Sequence, residues 1–108
     1  MLDIKCIVGV VERGRADKVV NAAKKAGAAG ATIFYGRGTG EWEVKKFLNI
    51  HVEASKEVII ILTEIEKYKD IMKAMIDAGE LKKPGTGIIF SIGVEHLVGL
   101  HHREEFMD

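Results

Sequence analysis

The sequence of 108 residues predicts an α+β fold in which a four-stranded antiparallel sheet carries two helices on one face. One observation is that strand-like and helix-like patterns follow each other in the order βαβ, long loop, βαβ. Another is that several strands are apolar on both of their sides. A single proline and a hydrophobic content of 47% favour a folded chain over a disordered one. We therefore expect one domain that covers residues 1–108.

The first βαβ unit begins with a short run of mostly β-branched residues at 4–11, which predicts a strand. Gly14 interrupts that run. Between residues 15 and 26, apolar side chains recur at intervals of three and four, which is the spacing of an amphipathic helix. Gly27 is a suitable C-terminal stop for this helix. A second strand is predicted over residues 31–35.

The second unit repeats the pattern, with a strand predicted over 57–62 and another over 88–92. Thr63–Glu66 has the form of a capping box, in which a hydroxyl and a glutamate satisfy reciprocal backbone donors at a helix start. The helix that follows is expected to end at Gly79. Its predicted apolar face consists of Ile65, Tyr68, Met72, Met75 and Ile76.

Two such units side by side give the ferredoxin-like βαββαβ arrangement, with a predicted loop over residues 36–56 between them. Two helices cover only one face of such a sheet. Residues 58–62 and most of residues 4–11 are apolar whichever way they point. An uncovered apolar face of that size is unusual in a monomer. The sequence therefore predicts an oligomer in which other subunits cover the second face.

Composition and charge argue against several classes of function. Sixteen basic and sixteen acidic residues cancel, whereas nucleic-acid binding usually needs a basic excess. No stretch approaches the length of a membrane helix, and the start of the chain does not resemble a signal peptide. Cys6 is the single cysteine, which fits a reducing compartment and, within an apolar run, a small buried hydrophobe. We expect a cytoplasmic protein without membrane insertion or nucleic-acid binding.

Two glycine-rich segments are the candidate binding elements. Gly36–Gly40 contains three glycines in five residues, and Gly85–Gly87 follows Lys82 and Lys83. Backbone N–H groups in such turns can form a concave site for an anion, which side chains would obstruct. Tight chain reversal alone also explains glycines at these positions, and adjacent lysines are often just solvated. The residues leave both interpretations open.

The order of these motifs resembles the PII nitrogen-regulatory and PII-like signal transduction proteins. Residues 30–33 run into Gly38-Thr39-Gly40, where that family has a Thr-Val strand and a Gly-Phe-Gly turn. Residues 85–90 match the family's Gly-Asp-Gly-Lys-Ile-Phe turn, and Val94-Glu95 follows it. Each motif alone is weak. Their order, in a chain of the family's length, identifies this sequence as a divergent member of the PII-like family.

The resemblance implies a homotrimer whose sheets face inward and whose intersubunit clefts bind a small effector, expected here to be an adenine nucleotide. It implies that Val10 and Thr32 contact the adenine and that the glycine turns contact the ribose and phosphates. The nucleotide-binding positions implied by the resemblance are Val10, Thr32, Gly38, Thr39, Gly40, Gly85, Thr86, Gly87, Ile88, His101 and Arg103.

This sequence departs from the family pattern where the family carries charge. Ile88 stands at the position of a lysine, and Gly99 and His101 stand at the positions of two arginines. Each charge-assisted contact to phosphate is worth roughly 1.5–3 kcal/mol, so the departures favour ADP, AMP or a cyclic nucleotide over ATP. Lys83 and Arg37, together with His101, His102 and Arg103, are possible replacement contacts. Trp42 stands where the family has a glutamine that binds 2-oxoglutarate and magnesium.

The resemblance also implies a regulatory function, which in this family is the regulation of nitrogen utilization. Effector binding would order the loop over residues 41–55, and a partner protein would read its conformation. The loop is shorter than in the family and lacks its modifiable tyrosine. Trp42 and Phe47 are candidate partner contacts, although both could instead pack within the trimer.

Two alternative functions are compatible with this fold. A metal-binding trimer of the metal-tolerance type is suggested by His96, His101 and His102, but no recognised ligand spacing is present, and no metal ligand is assigned. An enzyme is not expected, because the sequence shows no set of nucleophile, base and orienting residue, and no catalytic residue is assigned. Glu41, Glu43 and Glu53 are interpreted as solvated charges.

Overall fold

The computed structural model describes residues 3–38 and 54–100. The chain forms the predicted βαββαβ order. The elements are β1 (Ile4–Glu12), α1 (Ala16–Lys25), β2 (Thr32–Arg37), β3 (Ser55–Glu64), α2 (Ile65–Gly79) and β4 (Gly87–Gly93).

The four strands form one antiparallel sheet in the order β2-β3-β1-β4. The two longest strands, β1 and β3, occupy the centre, which suits their apolar character on both sides. The helices α1 and α2 pack against each other and against these central strands. The predicted ferredoxin-like fold is therefore confirmed.

The core lies between the helices and one face of the sheet. Its fully buried side chains include Ile7, Val11, Val19, Ala23, Ile59, Ile61, Ile71 and Met75. The predicted apolar face of α2 is correct for Met75, and for Tyr68 and Met72, which are half-buried against the core. It is wrong for Ile65, whose exposed fraction is 42%, and it omitted Ile71, which is completely buried. The buried stripe is therefore rotated by roughly 50° around the helix from the predicted one.

The other face of the sheet, which we call the open face, is apolar and lies away from the helices. Pairing register places Val10 between Val58 and Ile88, and Val8 between Ile60 and Phe90. The apolar residues of the open face are Cys6, Val8, Val10, Phe34, Val58, Ile60, Leu62, Ile88, Phe90 and Ile92. Burial raises the pKa of the Cys6 thiol, although the residue is only half-buried.

The strong exposure of this face confirms the prediction that the helices leave it uncovered. Phe34 and Ile88 are each 47% exposed, Phe90 is 44% exposed and Ile92 is 51% exposed. Contiguous apolar surface of this kind is typical of a site that contacts another molecule.

The start of α1 is fixed by a residue that is distant in sequence. The buried carboxylate of Glu57, on β3, accepts hydrogen bonds from the backbone N–H groups of Gly14 at 2.6 Å and Ala16 at 3.1 Å. These donors lie at the helix start, where N–H groups lack partners within the helix. At the other end of α1, Gly27 has the expected positive φ of 120°, and the Ala28 N–H donates to the Ala23 carbonyl.

The predicted capping box at the start of α2 is wrong. Thr63 pairs with Lys5 in the sheet and is buried, so β3 continues to Glu64, and Glu64 is the N-cap residue without a side-chain capping hydrogen bond. The Ile65 N–H donates instead to the Asp3 carbonyl at 3.0 Å. Strand pairing therefore takes precedence over the local capping pattern at this junction.

The end of α2 falls at Gly79 as predicted, but the left-handed residue that ends it is Glu80, with φ 53°. The Leu81 N–H donates to the Ile76 carbonyl, which completes a Schellman motif without glycine at its left-handed position. Gly79 is needed for packing instead. A Cβ there would lie 3.1 Å from Val19 Cγ2 on α1 and 3.1 Å from Leu81 Cγ.

The loop between the two units is shorter than the predicted 36–56. Gly36 pairs with Lys56 and Arg37 pairs with Ser55, so both ends of the predicted loop belong to strands. Glycine is tolerated within β2 because Gly36 keeps its ladder pairing. Neither described helix is long and apolar enough to cross a membrane.

Candidate functional site

The turn between α2 and β4 is held by a compact polar network. The Thr86 hydroxyl lies 2.8 Å from the Glu80 carbonyl oxygen and 2.9 Å from the Lys83 carbonyl oxygen, to which it donates. The Lys83 ammonium donates to the Glu80 carboxylate at 2.9 Å. The Arg15 guanidinium at the start of α1 donates to the Gly79 carbonyl at 3.3 Å and lies 3.6 Å from the Glu80 carboxylate. The segment is thereby tied to both helices.

The glycines of this turn are required by backbone geometry. Gly85 has φ 79° and Gly87 has φ 146°, a region that side chains other than glycine rarely adopt. A Cβ on Gly87 would also overlap the carbonyl oxygen of Val10 on the adjacent strand. The turn therefore lies close against β1, and this close approach is possible because Gly87 has no Cβ.

Two of the three cations beside the turn are already engaged. Lys83 and Arg15 both approach Glu80, and the Lys83 ammonium is the main reason that the pKa of the Glu80 carboxyl lies below its ordinary value. Lys82 is exposed and has no ion pair or hydrogen bond within the described parts of the chain. Of the two lysines singled out in the sequence, Lys82 is the one available to an incoming anion.

Val10 and Ile88 lie side by side on the open face, because they are paired in the β1–β4 register. Gly87 pairs with Val11 at the same end of β4. The structure therefore brings Val10, Ile88 and the turn at 85–87 together at one edge of the sheet. Ile88 offers an exposed hydrocarbon surface there instead of a charge.

Thr32 lies at the opposite edge of the sheet. It belongs to β2 and pairs with Ile60, whereas the turn at 85–87 leads into β4. Three strand spacings of about 4.8 Å separate β2 from β4, or roughly 14 Å. A single chain therefore presents two separate groups of the predicted nucleotide-binding residues, one at each edge.

Gly38 marks the point where the chain leaves β2. Its N–H donates to the Ala54 carbonyl at 2.8 Å, which holds the two ends of the intervening segment together. A Cβ at Gly38 would lie 2.9 Å from Lys56 Cε, so the strand and the lysine stem approach closely here. Arg37 is exposed at the end of β2.

Six of the predicted site residues lie outside the described residues. They are Thr39, Gly40, Trp42, Phe47, His101 and Arg103. His102 lies outside as well, and His96 is exposed. Within residues 3–38 and 54–100, no group of three or more His, Cys, Asp or Glu side chains could hold a metal ion.

Sequence reasoning missed the part played by two residues. The sequence pattern predicts Glu57 only as the first residue of a strand, and Arg15 only as the start of a helix. The sequence signal for the role of Glu57 is that it is an acidic residue at the start of an otherwise apolar predicted strand. No local pattern indicates that Arg15 reaches Gly79 and Glu80, because that contact depends on the packing of α1 against α2.

The strand order and the two helices define a small ferredoxin-like domain, with the glycine turn at 85–87 at one edge of its sheet. A family model described as nitrogen regulatory protein P-II matches residues 4–104, so the chain belongs to the P-II family. Members of this family are signalling proteins that bind small effectors and regulated proteins. The chain is thus a PII-like regulatory signalling protein.

A solved structure shares the fold. The crystal structure of the Arabidopsis thaliana PII protein bound to citrate superimposes with a TM-score of 0.71, covering 94% of this chain and 83% of that chain. Sequence identity between the two is 18%. No curated protein sequence matches the chain.

Proposed function

We propose that this protein is a regulatory switch that forms a homotrimer and binds an adenine nucleotide in clefts between its subunits. The observation that carries the proposal is the division of the predicted site between the two edges of the sheet. Within one chain, Thr32 on β2 and the turn at 85–87 before β4 are separated by the apolar residues of the open face, which offer no hydrogen-bonding group to a ribose or a phosphate. A second copy that places its β2 edge beside β4 would complete the site.

The open face supports the assembly part of the proposal. Its exposed apolar residues need a partner surface, and another copy of the same face provides one of matching chemistry. Cyclic assembly through this face leaves the helices outside. It also brings the edge strands of neighbouring subunits close to each other.

The charges near the turn support a nucleotide with few phosphates. Lys83 is paired with Glu80, Ile88 supplies no charge, and Lys82 is the available lysine. Backbone N–H groups at 85–87 can contribute donors without net charge. ADP or AMP suits this arrangement better than ATP, whose additional phosphate would lack a cation.

The regulatory output is proposed to run through residues 41–55, with Trp42 and Phe47 as partner contacts. Gly38 and Ala54 are joined by a backbone hydrogen bond, so the segment between them leaves and re-enters the sheet at one place. Effector bound beside Gly38 would favour one arrangement of this segment over others, which is all that a binding switch requires.

The first experiment is a calorimetric titration of the full chain with ATP, ADP, AMP, cyclic AMP, citrate, and 2-oxoglutarate with magnesium. Citrate is included because the Arabidopsis neighbour binds it. Light scattering gives the mass in parallel. We expect a trimer that binds ADP or AMP more tightly than ATP. A trimer that binds none of the adenine nucleotides would contradict the proposal that the effector is an adenine nucleotide. A monomer would contradict the proposal that two subunits share the site.

A mixing experiment tests the shared site directly. Thr32→Arg alters the wall on β2, and Lys82→Glu alters the wall beside the turn at 85–87 without placing a charge on the open face. Each variant alone should bind no nucleotide. In trimers assembled from an equal mixture of the two, about a quarter of the clefts combine two unaltered walls. Recovery of about that fraction of binding is expected. Absence of any recovery would mean that both walls come from one chain.

The metal-binding alternative gains no support from a described residue. His101 and His102 lie outside the described residues, and His96 is exposed without a cluster around it. A second function is therefore not proposed.

A further inference from the structure

A groove of about 290 Å³ runs along the flank of α2, on the helical layer of the domain. Met72 and Ile76 are half-buried and give the groove an apolar floor. Their spacing of four residues places them on the same side of the helix. The full lining consists of Lys69, Met72, Lys73, Ile76, Asp77 and Lys82.

The rim of this groove is cationic. Lys73 is paired with Asp77 at 3.1 Å, which neutralises one charge of each sign. Lys69 and Lys82 are exposed, and neither has an ion pair or hydrogen bond within residues 3–38 and 54–100. Three lysines and one aspartate give the lining a net charge of +2 in a chain whose overall formal charge is zero.

We propose that this groove, which we call the α2 groove, docks an acidic segment of a partner protein that carries one or two apolar side chains. Carboxylates of the segment would pair with Lys69 and Lys82, and an aliphatic or aromatic side chain would contact Met72 and Ile76. Such an arrangement combines electrostatic steering with an apolar anchor, which is how many peptide-binding grooves obtain specificity.

The charge pattern around the groove favours a protein segment over a membrane or a nucleic acid. Glu66, Asp70 and Asp77 are exposed and recur at intervals of four and seven residues, so they form an acidic stripe on the solvent side of α2. A flat anionic surface that approached the lysines would also meet this stripe. A narrow segment lying in the groove would meet only Asp77, whose charge is already paired with Lys73.

The position of the groove separates it from the proposed trimer interface. It lies on the helical layer, whereas the assembly is proposed to use the open face on the other side of the sheet. Lys82 comes three residues before Gly85, so the groove ends beside the turn at 85–87. A segment in the groove would thus lie next to the effector site and would share Lys82 with it.

The test measures fluorescence anisotropy of a labelled peptide of glutamates and aspartates with two central leucines, titrated with the full chain. We expect saturable binding that weakens as salt is added, because the contacts are exposed ion pairs. Lys69→Glu with Lys82→Glu should weaken binding at least about ten-fold. The matched control is Lys24→Glu with Lys25→Glu on α1, also two exposed lysines, which should change affinity less than about two-fold.

Control peptides separate the two contributions. Replacing the acidic residues with glutamine, or the leucines with serine, should each weaken binding by about ten-fold. Binding that survives in the Lys69/Lys82 variant, or that falls equally in the Lys24/Lys25 variant, would overturn the proposal. So would capture by phosphatidylserine vesicles that depends on Lys69 and Lys82.

The chain itself ends in an acidic stretch with apolar residues, Glu104 to Asp108, which could occupy the groove instead. Glu104→Gln with Glu105→Gln in the full chain distinguishes the two occupants. Unchanged peptide affinity supports a partner segment. An increase of about ten-fold or more would assign the groove to the chain's own tail and overturn the proposal.

Discussion

The Glu57 carboxylate lies 3.1 Å from the backbone nitrogen of Ala16, 41 positions earlier in the chain, and caps α1 from the central strand β3. The same oxygen accepts a hydrogen bond from Gly14 at 2.6 Å. The capping group that short helices usually take from an adjacent residue is here supplied by tertiary structure. Formation of α1 and docking of β3 are therefore coupled.

Replacement of Glu57 tests this coupling. Glu57→Ala should lower the free energy of unfolding by about 2–3 kcal/mol, because it leaves the buried N–H of Ala16 and the part-buried N–H of Gly14 without this acceptor. Glu57→Gln keeps one acceptor oxygen and should cost about 1 kcal/mol. Urea unfolding at one fixed protein concentration measures both, since assembly makes stability depend on concentration. A loss equal in the two variants would contradict capping by the carboxylate.

Gly87 is predicted to be intolerant of any side chain. Gly87→Ala places a Cβ on the Val10 carbonyl oxygen and forces φ 146° on an alanine, so a loss of about 3 kcal/mol or more is expected. Gly30→Ala is the control, because a Cβ at Gly30 meets nothing within 4 Å. Thermal unfolding compares the two. Equal midpoints for the two variants would show that the turn at 85–87 rearranges freely.

The open face is predicted to mediate self-association. Phe90→Glu introduces a charge on this face, at the middle of β4, and should reduce the mass measured by light scattering to that of a single chain. The control is Val98→Glu, at a residue that is 77% exposed and outside the sheet. It should leave the mass unchanged. If Phe90→Glu also had no effect, another surface would hold the assembly together.

The pKa of Glu80 provides a test of the network around the turn. Lys83 donates to this carboxylate and is the main cause of its lowered pKa. Its stabilising contribution is thus present above the ordinary value of 4.5 and is lost as the pH falls through the lowered pKa. In Lys83→Ala the pKa should rise towards 4.5, as followed by NMR titration. Lys73→Ala, which removes a lysine paired with Asp77 instead, should leave it unchanged.

The fold could be predicted from the sequence because its main signals are local. The β-branched run at 4–11, the helical spacing after Gly14 and the second strand–helix pair each indicate one element, and connection rules limit how they assemble. The uncovered face followed from strands that are apolar on both sides. Where a local pattern competed with strand pairing, as at Thr63, the sheet prevailed.

The site was harder to predict because its geometry is tertiary. The motif at 85–87 was identifiable from glycine spacing alone. The pairing of Val10 with Ile88, and the separation of both from Thr32, depend on strand order. The engagement of Lys83 by Glu80 depends on the path of the turn after α2, in which Glu80 is left-handed.

The end of α2 places unusual limits on how the sequence can diverge. Helices that end in a left-handed residue usually have glycine at that position. Here that position is Glu80, and the glycine lies one residue earlier against Val19. Among homologous chains that keep this helix pairing, position 79 should remain glycine, while position 80 should accept asparagine or glycine. The absence of a side chain at position 79 therefore sets how closely α1 and α2 approach each other.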